Sequence, residues 1–458
     1  MTSGRMAGAV SARFFGALAD GTSLLPPKWR YAYVHPILRR LFSSRVYSLP
    51  PLTHPKAAPS VADTAVHATD MVCAIVADRL DVGGIGTVVE MLVSRMPQYG
   101  IRPVIVCVGD GPRAMRLRAG GIEVISVRPD ETQATALQGI DADVVQMHSA
   151  PPLLEKSAIQ AGLPLIPVLH NTEIHYTQPQ WDRFETLLAH SSTAVAVSRV
   201  VADFHARHVP ACLRDRFVVV PNGAPNPGPP DAEARRVARG HLADGLGGVL
   251  GEDDVVFVCL ARYDAQKNNA GTVAGFIRAV EQTDVPMRLV LAGDPSDWVE
   301  YRRADGMRRE SRSAGRVHLF GNSDAEALLS AADAFLLNSF FEGWPMAATE
   351  AMGVGLPLVL SDVGGARELI ARDPARSVLV SNATGAADEV TDARVAAQRR
   401  RSGHQRNAQE LADAIMTVAE GVVRRREDET DDGTTIADVG LDAMAAAHAG
   451  VLRAAVRN

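Results

Sequence analysis

The sequence predicts an α/β protein of two domains, each built around a mostly parallel sheet, and three observations carry that expectation. Short apolar runs such as Met71 to Ala77 and Val255 to Leu260 alternate with stretches of helical periodicity, and unbroken apolar runs of that length suit strands buried on both faces. The run Pro225-Asn226-Pro227-Gly228-Pro229-Pro230 breaks the alternation into two halves, as a linker would. The chain has 458 residues, more than a single typical core holds. The expected division is an N-terminal arm and linker over 1–68, a first domain over 69–224, a second over 231–435 and a C-terminal helix over 436–458.

Bulk composition narrows the class. Hydrophobic residues make up 47% and charged residues 22%, as in ordinary water-soluble domains. Lys and Arg number 47 against 53 Asp and Glu, a net charge of −6, which argues against a nucleic-acid partner. Cys73, Cys107, Cys212 and Cys259 form no C-x-x-C pair. They suit buried thiols in a reducing compartment, with no zinc site and no disulfide framework. With no apolar run near the roughly 18 residues needed to cross a bilayer, the expected location is cytoplasmic.

The arm comes first. Met6 to Leu18 has the outline of a weak signal sequence, but Arg13 interrupts its apolar core, which argues against export. Lys28-Trp29-Arg30-Tyr31, Ile37-Leu38-Arg39-Arg40 and Arg45 follow, and no Asp or Glu occurs between Asp20 and Asp63. Basic and aromatic residues together suit peripheral contact with the inner face of an anionic membrane through residues 14–45. The alternative is an irregular arm packed on the folded body or left disordered. Pro50, Pro51, Pro55 and Pro59 mark a linker.

In the first domain, strands are expected at Met71–Ala77, Val104–Val108, Val124–Val127, Val144–Met147, Leu165–Leu169, Thr193–Val197 and Phe217–Val220. Gly83, Gly84 and Gly86 follow the first. A nicotinamide-binding G-x-G-x-x-G is the rival explanation, but Val89 stands where its third glycine belongs. Asp141 and Asp143 form a D-x-D, yet they precede a strand and suit its start better than a metal, which needs further oxygen ligands. His148 and His170 each close a strand pattern, so both are expected near the carboxyl edge of the sheet, where α/β proteins bind ligands.

The second domain is expected to begin with a helix from Asp231, then a strand over Val255–Leu260 leading into Arg262 and Lys267. Further strands are expected near Leu289 and over Val317–Phe320. Residues 338–368 are the most informative stretch, reading NSFFEGWPMAATEAMGVGLPLVLSDVGGARE. The apolar run Ala334–Leu337 opens into a loop, Pro345 suits the first position of a helix, and Leu356–Leu360 suits a second buried strand. Glu342 in the loop and Glu350 in the helix can lean toward one pocket, because helical side chains tilt toward the N-terminus. Two acids beside a phosphate would repel it, so both are expected to meet hydroxyl groups while cations elsewhere hold phosphate. A nucleotide sugar has that mixture. On spacing alone, a surface helix with two solvated acids is equally admissible. Residues 382–406 have the character of a polar, basic inserted loop, Leu411–Val423 and Leu441–Val456 of helices, and Glu427–Asp432 of a solvated acidic connector.

Glu342, Gly343, Trp344, Pro345, Glu350, Ala351, Met352, Gly355, Pro357, Gly364, Gly365 and Glu368 together resemble the Glu-x7-Glu signature of retaining glycosyltransferases of family 4, and the similarity runs from about Met71 to Leu379. The resemblance implies two Rossmann-like domains facing across a cleft, the glycosyltransferase B-type fold, with the final helix crossing back to the first domain. It implies hexosyl transfer from a nucleotide-diphosphate sugar to an acceptor hydroxyl of a glycan, glycolipid or small molecule, with retention and in the setting of cell-envelope glycan synthesis. It implies no metal and no cofactor, since the nucleotide sugar is a substrate.

By the same resemblance Arg262 and Lys267 clamp the diphosphate, Glu342 and His170 meet the sugar, and Glu350 meets the ribose. Gly83, Gly84, Gly343, Trp344, Pro345 and Met346 belong to the donor site. His148, Glu173, His175 and Tyr176 are the acceptor-side candidates. Glu173 would be the general base of an inverting reaction, which the resemblance speaks against. The family usually places glycine after the lysine, where this chain has Asn268. The alternatives are a nucleotide-sugar epimerase or hydrolase on the same fold, or a non-catalytic nucleotide-sugar-binding module.

Overall fold

The computed structural model describes residues 15–23, 25, 27–42, 48–53, 71–80, 83–128, 135–427 and 440–457. The expected acidic connector lies outside the described residues beyond Glu427, as do residues 6–14 of the signal-like stretch and the linker prolines Pro55 and Pro59.

Two all-parallel sheets organise the chain. The first runs β1 (Met71–Ala77), β2 (Ile101–Val108), β3 (Glu123–Val127), β4 (Val144–His148), β5 (Leu165–Leu169), β6 (Ala194–Ala196) and β7 (Phe217–Val219), in spatial order β3-β2-β1-β4-β5-β6-β7. The second comprises β8 (Val255–Leu260), β9 (Met287–Ala292), β10 (Val317–Phe320), β11 (Ala334–Leu337), β12 (Leu358–Ser361) and β13 (Val378–Val380), in order β10-β9-β8-β11-β12-β13. Strand order reverses beside β1 in one sheet and beside β8 in the other, so the carboxyl ends of β1 and β4, and of β8 and β11, flank the two switch points. Helices cover the strands, and the interiors are apolar. Val106, Val145 and Leu188 are fully buried in the first sheet's core, as are Phe257, Phe276 and Leu289 around the second.

The chain gathers into two compact units. One holds the first sheet and comprises the described residues of Ala57–Asn226, Glu342–Glu350 and Asp438–Asn458. The other holds the second sheet and takes in the described residues of Met1–Lys56, Pro227–Phe341 and Ala351–Ala437.

Each unit includes a segment from far along the chain. In the first-sheet unit the helix Leu441–Arg457 buries Met444, His448 and Leu452. Gly223 lies so close to Gly440 that a Cβ would sit 2.3 Å from its carbonyl oxygen. In the second-sheet unit the arm is helical over 15–21 and again from Pro27 through the π-turn Arg30–Val34 to Leu41. Phe15, Ala19 and Leu38 pack with Trp298.

Arg30 anchors the arm and is 0% exposed. Its guanidinium donates to Asp297 at 2.6 and 3.1 Å, to Glu300 at 3.3 Å and to the Leu25 carbonyl at 2.6 Å. Burial would raise the Asp297 pKa, but hydrogen bonds from His35 and Arg30 outweigh it and hold the carboxyl below its usual range.

Three expectations need correction. Residues 382–406 are not a loop: they include the helix Asp392–Arg400, and Arg399 is buried against Glu300. A basic run suggests solvent unless its acidic partner, here 99 residues away, is known. Cys212 is exposed on a 3₁₀ turn, while the other three thiols are buried as expected. Pro345 precedes the helix Met346–Gly353, its carbonyl accepting from Ala348 and Thr349.

Removing one member of a buried charge group strands the others without compensation, at about 3–5 kcal/mol. Arg30→Ala should therefore lower the free energy of urea unfolding by an amount of that order, and an unchanged unfolding curve would show that the arm's anchor carries no stability.

Candidate functional site

The site candidates sit where strands end. In the first-sheet unit, Gly83 adopts φ 156, ψ 164 just ahead of the helix Gly84–Arg95, a conformation nearly restricted to glycine. Thr87 donates to its carbonyl from both backbone and hydroxyl, and Arg113 reaches the same carbonyl at 3.4 Å. A Cβ on Gly84 would lie 3.8 Å from Met346 Cγ, an ordinary contact.

Gly343 is constrained far more tightly. A Cβ there would fall 1.8 Å from the His170 carbonyl oxygen, so only glycine lets the chain after Glu342 lie on the end of β5. Trp344 is buried and its indole N–H donates to Thr349 Oγ1 at 2.8 Å. It braces the turn into the helix that carries Glu350. Glu342 is buried. Burial pushes the carboxyl of half-buried Glu350 up to about 7.

His170 heads a buried polar chain. Its Nε2 lies 2.8 Å from His148 Nδ1, His148 Nε2 lies 3.2 Å from Gln146 Oε1, and Gln146 Nε2 lies 2.9 Å from His448 Nδ1. Burial holds His148 well below the ordinary imidazole range, His170 at about 3 and His448 at about 4, so all three rings are neutral near pH 7. A neutral ring donates from one nitrogen and accepts on the other. With the Gln146 oxygen accepting from His148, each bond then runs one way, from His170 toward His448. His170 Nδ1 is left as an acceptor, suited to a hydroxyl. His148, expected as an acceptor contact, is fully buried and instead holds His170 in place.

Glu173, Tyr176, Ser149 and Arg183 line a cavity of about 50 Å³ with His170. Burial raises Glu173 to about 7, with His175 drawing it back. His175 itself is exposed, whereas Tyr176 packs edge-on against Trp181.

In the second-sheet unit β8 runs into Arg262, whose half-exposed guanidinium pairs with Asp264 at 3.1 Å. Asp264 Oδ1 also accepts from the backbone of Gln266 and Lys267 at 3.0 and 3.1 Å, closing a tight turn. Asn268 takes the left-handed conformation, φ 49, ψ 39, which asparagine tolerates better than most residues. Its amide exchanges hydrogen bonds with Gln405 at 3.0 and 2.8 Å. Asparagine thus fills a left-handed conformation that glycine would also adopt without strain. Gln266 ties this turn to the loop after β11: its carbonyl accepts from Phe340 N at 2.8 Å and its amide donates to Phe341 O at 3.0 Å. Glu342 is the next residue in the chain.

Sequence reasoning missed Gln146, His448 and Gln266. His448 lies on the apolar face of its helix with Met444 and Leu452, a pattern that marks burial but names no partner. Asp143 begins β4, its carboxylate accepting from Val72 N at 2.7 Å. Among the described residues no three His, Cys, Asp or Glu side chains are grouped to hold a metal.

Two family models match, Glycosyltransferase Family 4 over residues 82–225 and Glycosyl transferases group 1 over 254–397, and together they take in more than half of the chain. The chain belongs to the family 4-like glycosyltransferases. This glycosyltransferase is 26% identical over 238 residues to the UDP-Gal:alpha-D-GlcNAc-diphosphoundecaprenol alpha-1,3-galactosyltransferase of Escherichia coli, covering 49% of this chain and 58% of the relative. It is 29% identical over 155 residues to the putative glycosyltransferase EpsF of Bacillus subtilis, covering 32% and 37%. The matches therefore span less than two thirds of either curated relative. Similar solved structures include HepE of Anabaena in complex with UDP and glucose, at 18% identity and TM-score 0.58 over 78% of this chain and 99% of that one. A glycosyltransferase from Rickettsia africae follows at 15% identity and TM-score 0.61 over 85% and 99%. The two-domain fold is of the glycosyltransferase B type.

Two outcomes are expected of the glycosyltransferase in solution. Gly343→Ala forces the backbone off the His170 carbonyl and should cost about 1–3 kcal/mol of stability, read from urea unfolding. Acid should also destabilise the first-sheet unit. The buried imidazoles of His148, His170, His205 and His448 have depressed pKa values, so below about pH 6.5 the unfolded chain binds protons that the folded chain does not. Glu173 and Glu350, raised to about 7, and Glu155, also raised by burial, work the other way over the range above the usual carboxylate pKa, but they are three against four. Stability present at pH 7 is thus lost as pH falls toward 4, and the urea midpoint at pH 5 should lie below that at pH 7.

Proposed function

We propose that this glycosyltransferase moves a hexosyl group from a nucleotide-diphosphate sugar to a hydroxyl of a glycan or lipid-linked acceptor, with retention at the anomeric carbon. The observation that carries the reading is the tie made by Gln266. It holds the turn bearing Arg262 and Lys267 against the two residues that lead into Glu342, so the phosphate-binding cations and the segment that runs into Glu342 leave neighbouring strand ends of one sheet.

Arg262 and Lys267 stabilise the charge that grows on the departing diphosphate. Glu342 accepts from sugar hydroxyls, Glu350 from the ribose, and His170 meets the sugar through Nδ1. The acceptor oxygen bonds to the anomeric carbon on the face that the diphosphate leaves. The carbon–oxygen bond to the diphosphate breaks, and the acceptor's proton passes to a departing phosphate oxygen. The products are the glycoside and the nucleoside diphosphate. The reaction needs no metal ion and no cofactor in this reading.

The relative from E. coli is named for a UDP-sugar donor and a diphosphoundecaprenol-linked acceptor. That supports a UDP-sugar as the first donor to test and a lipid-linked acceptor. No helix among the described residues is long and apolar enough to cross a membrane, so contact with a bilayer would be peripheral.

Each charge-assisted contact to the leaving group is worth about 1.5–3 kcal/mol, so Lys267→Ala should lower kcat by roughly 10- to 150-fold. Near-normal turnover in that variant would refute the clamp. A thermal-shift screen with UDP-, GDP- and ADP-sugars should raise Tm for the true donor. The anomeric configuration of the product, read by NMR, decides retention.

A further inference from the structure

The arm helix has two faces. The inner one carries Arg30 and Leu38, both buried on the second-sheet unit. The outer one carries Trp29, Tyr33, Ile37 and Leu41, which are 59, 62, 57 and 69% exposed. These four recur every fourth residue along Pro27–Leu41, the spacing that aligns side chains in one row. The Trp29 and Tyr33 rings lie 5.5 Å apart. An exposed row of four large apolar side chains is unusual on a soluble monomer and marks a contact surface.

We propose that this row is a docking surface for an anionic lipid bilayer, with the arm helix lying flat in the headgroup region. Charge selects this occupant. Residues 21–62 contain Lys28, Arg30, Arg39, Arg40, Arg45 and Lys56 and no Asp or Glu. Arg30 is neutralised internally by Asp297 and Glu300, whereas Arg40 is exposed one residue before Leu41. Trp and Tyr belong at the headgroup level, and Ile and Leu reach the acyl boundary.

Length excludes a spanning role. At about 1.5 Å per residue the helix is roughly 22 Å long, its inner face is committed to protein, and the bilayer core is about 30 Å thick. Arg30 fixes the helix to the folded body before any lipid is met, so the ordering cost of binding is reduced. The bilayer therefore meets the unit that holds Arg262 and Lys267, and does so through aromatic and aliphatic side chains assisted by cations. The proposal gives the peripheral contact suggested above a defined surface, and it stands whether or not the transferase reading is right.

Vesicle binding tests it with the full chain. Phosphatidylcholine vesicles containing phosphatidylglycerol should sediment the protein, and pure phosphatidylcholine should do so poorly. Trp29 is exposed whereas Trp181, Trp298 and Trp344 are buried, so a blue shift of tryptophan fluorescence on adding anionic vesicles should disappear in Trp29→Phe. A variant combining Trp29→Ser, Tyr33→Ser, Ile37→Ser and Leu41→Ser should lose about tenfold or more in vesicle affinity. Its urea unfolding curve and its nucleotide-sugar thermal shift should stay unchanged. Equal binding by this variant overturns the proposal, as does equal binding to neutral vesicles. Absence of vesicle binding coupled to a row-dependent dimer in sedimentation assigns the face to a second copy of the chain and also overturns it.

Discussion

A parallel sheet covered by helices on both faces offers no place for a charged group except at its edges, because an unpaired charge in the interior costs far more than any local contact returns. That constraint arranges everything of chemical interest in this protein. His148 closes β4, His170 follows β5, Arg262 and Lys267 follow β8, and the chain leading to Glu342 follows β11. The strands themselves are Val, Leu, Ile, Ala and Phe almost throughout, and their buried mass makes the edge rigid. A rigid edge lets a single glycine, Gly343, define where the following segment lies to within the radius of one carbonyl oxygen.

Polar groups near that edge are held by other polar groups, and the cost of burial is offset in two different ways. In the first-sheet unit it is met by neutrality: three imidazoles and an amide pass hydrogen bonds along one direction and carry no charge. In the second-sheet unit it is met by pairing: Arg30 and Arg399 share Glu300, with Asp297 and His35 completing the group. The neutral chain is sensitive to acid, whereas the paired group loses its balance when one member is removed.

Much of the fold was legible because it depends on local patterns. β1, β5, β8 and β11 begin and end where the apolar runs do, and the Glu342–Glu350 segment reads as loop and helix from its own composition. What escaped depends on partners remote in sequence. Arg30 and Arg399 look like surface cations until Asp297 and Glu300 are seen beside them, and His448 looks like one polar residue in an alanine-rich helix until Gln146 is found 302 residues away. Asn268 is the instructive intermediate case. The sequence shows the missing glycine, but only the backbone dihedral shows that asparagine takes a left-handed conformation open to glycine.

The helix Leu441–Arg457 has a consequence for how the protein is made. Gln146 leaves the ribosome 302 residues before His448 does, an interval of roughly 15–60 s at about 5–20 residues per second. Throughout that interval a completed parallel sheet carries an amide and two imidazoles whose last partner does not yet exist. The nascent first-sheet unit lacks the helix that covers these groups, and its native packing closes only when translation has passed the entire second sheet.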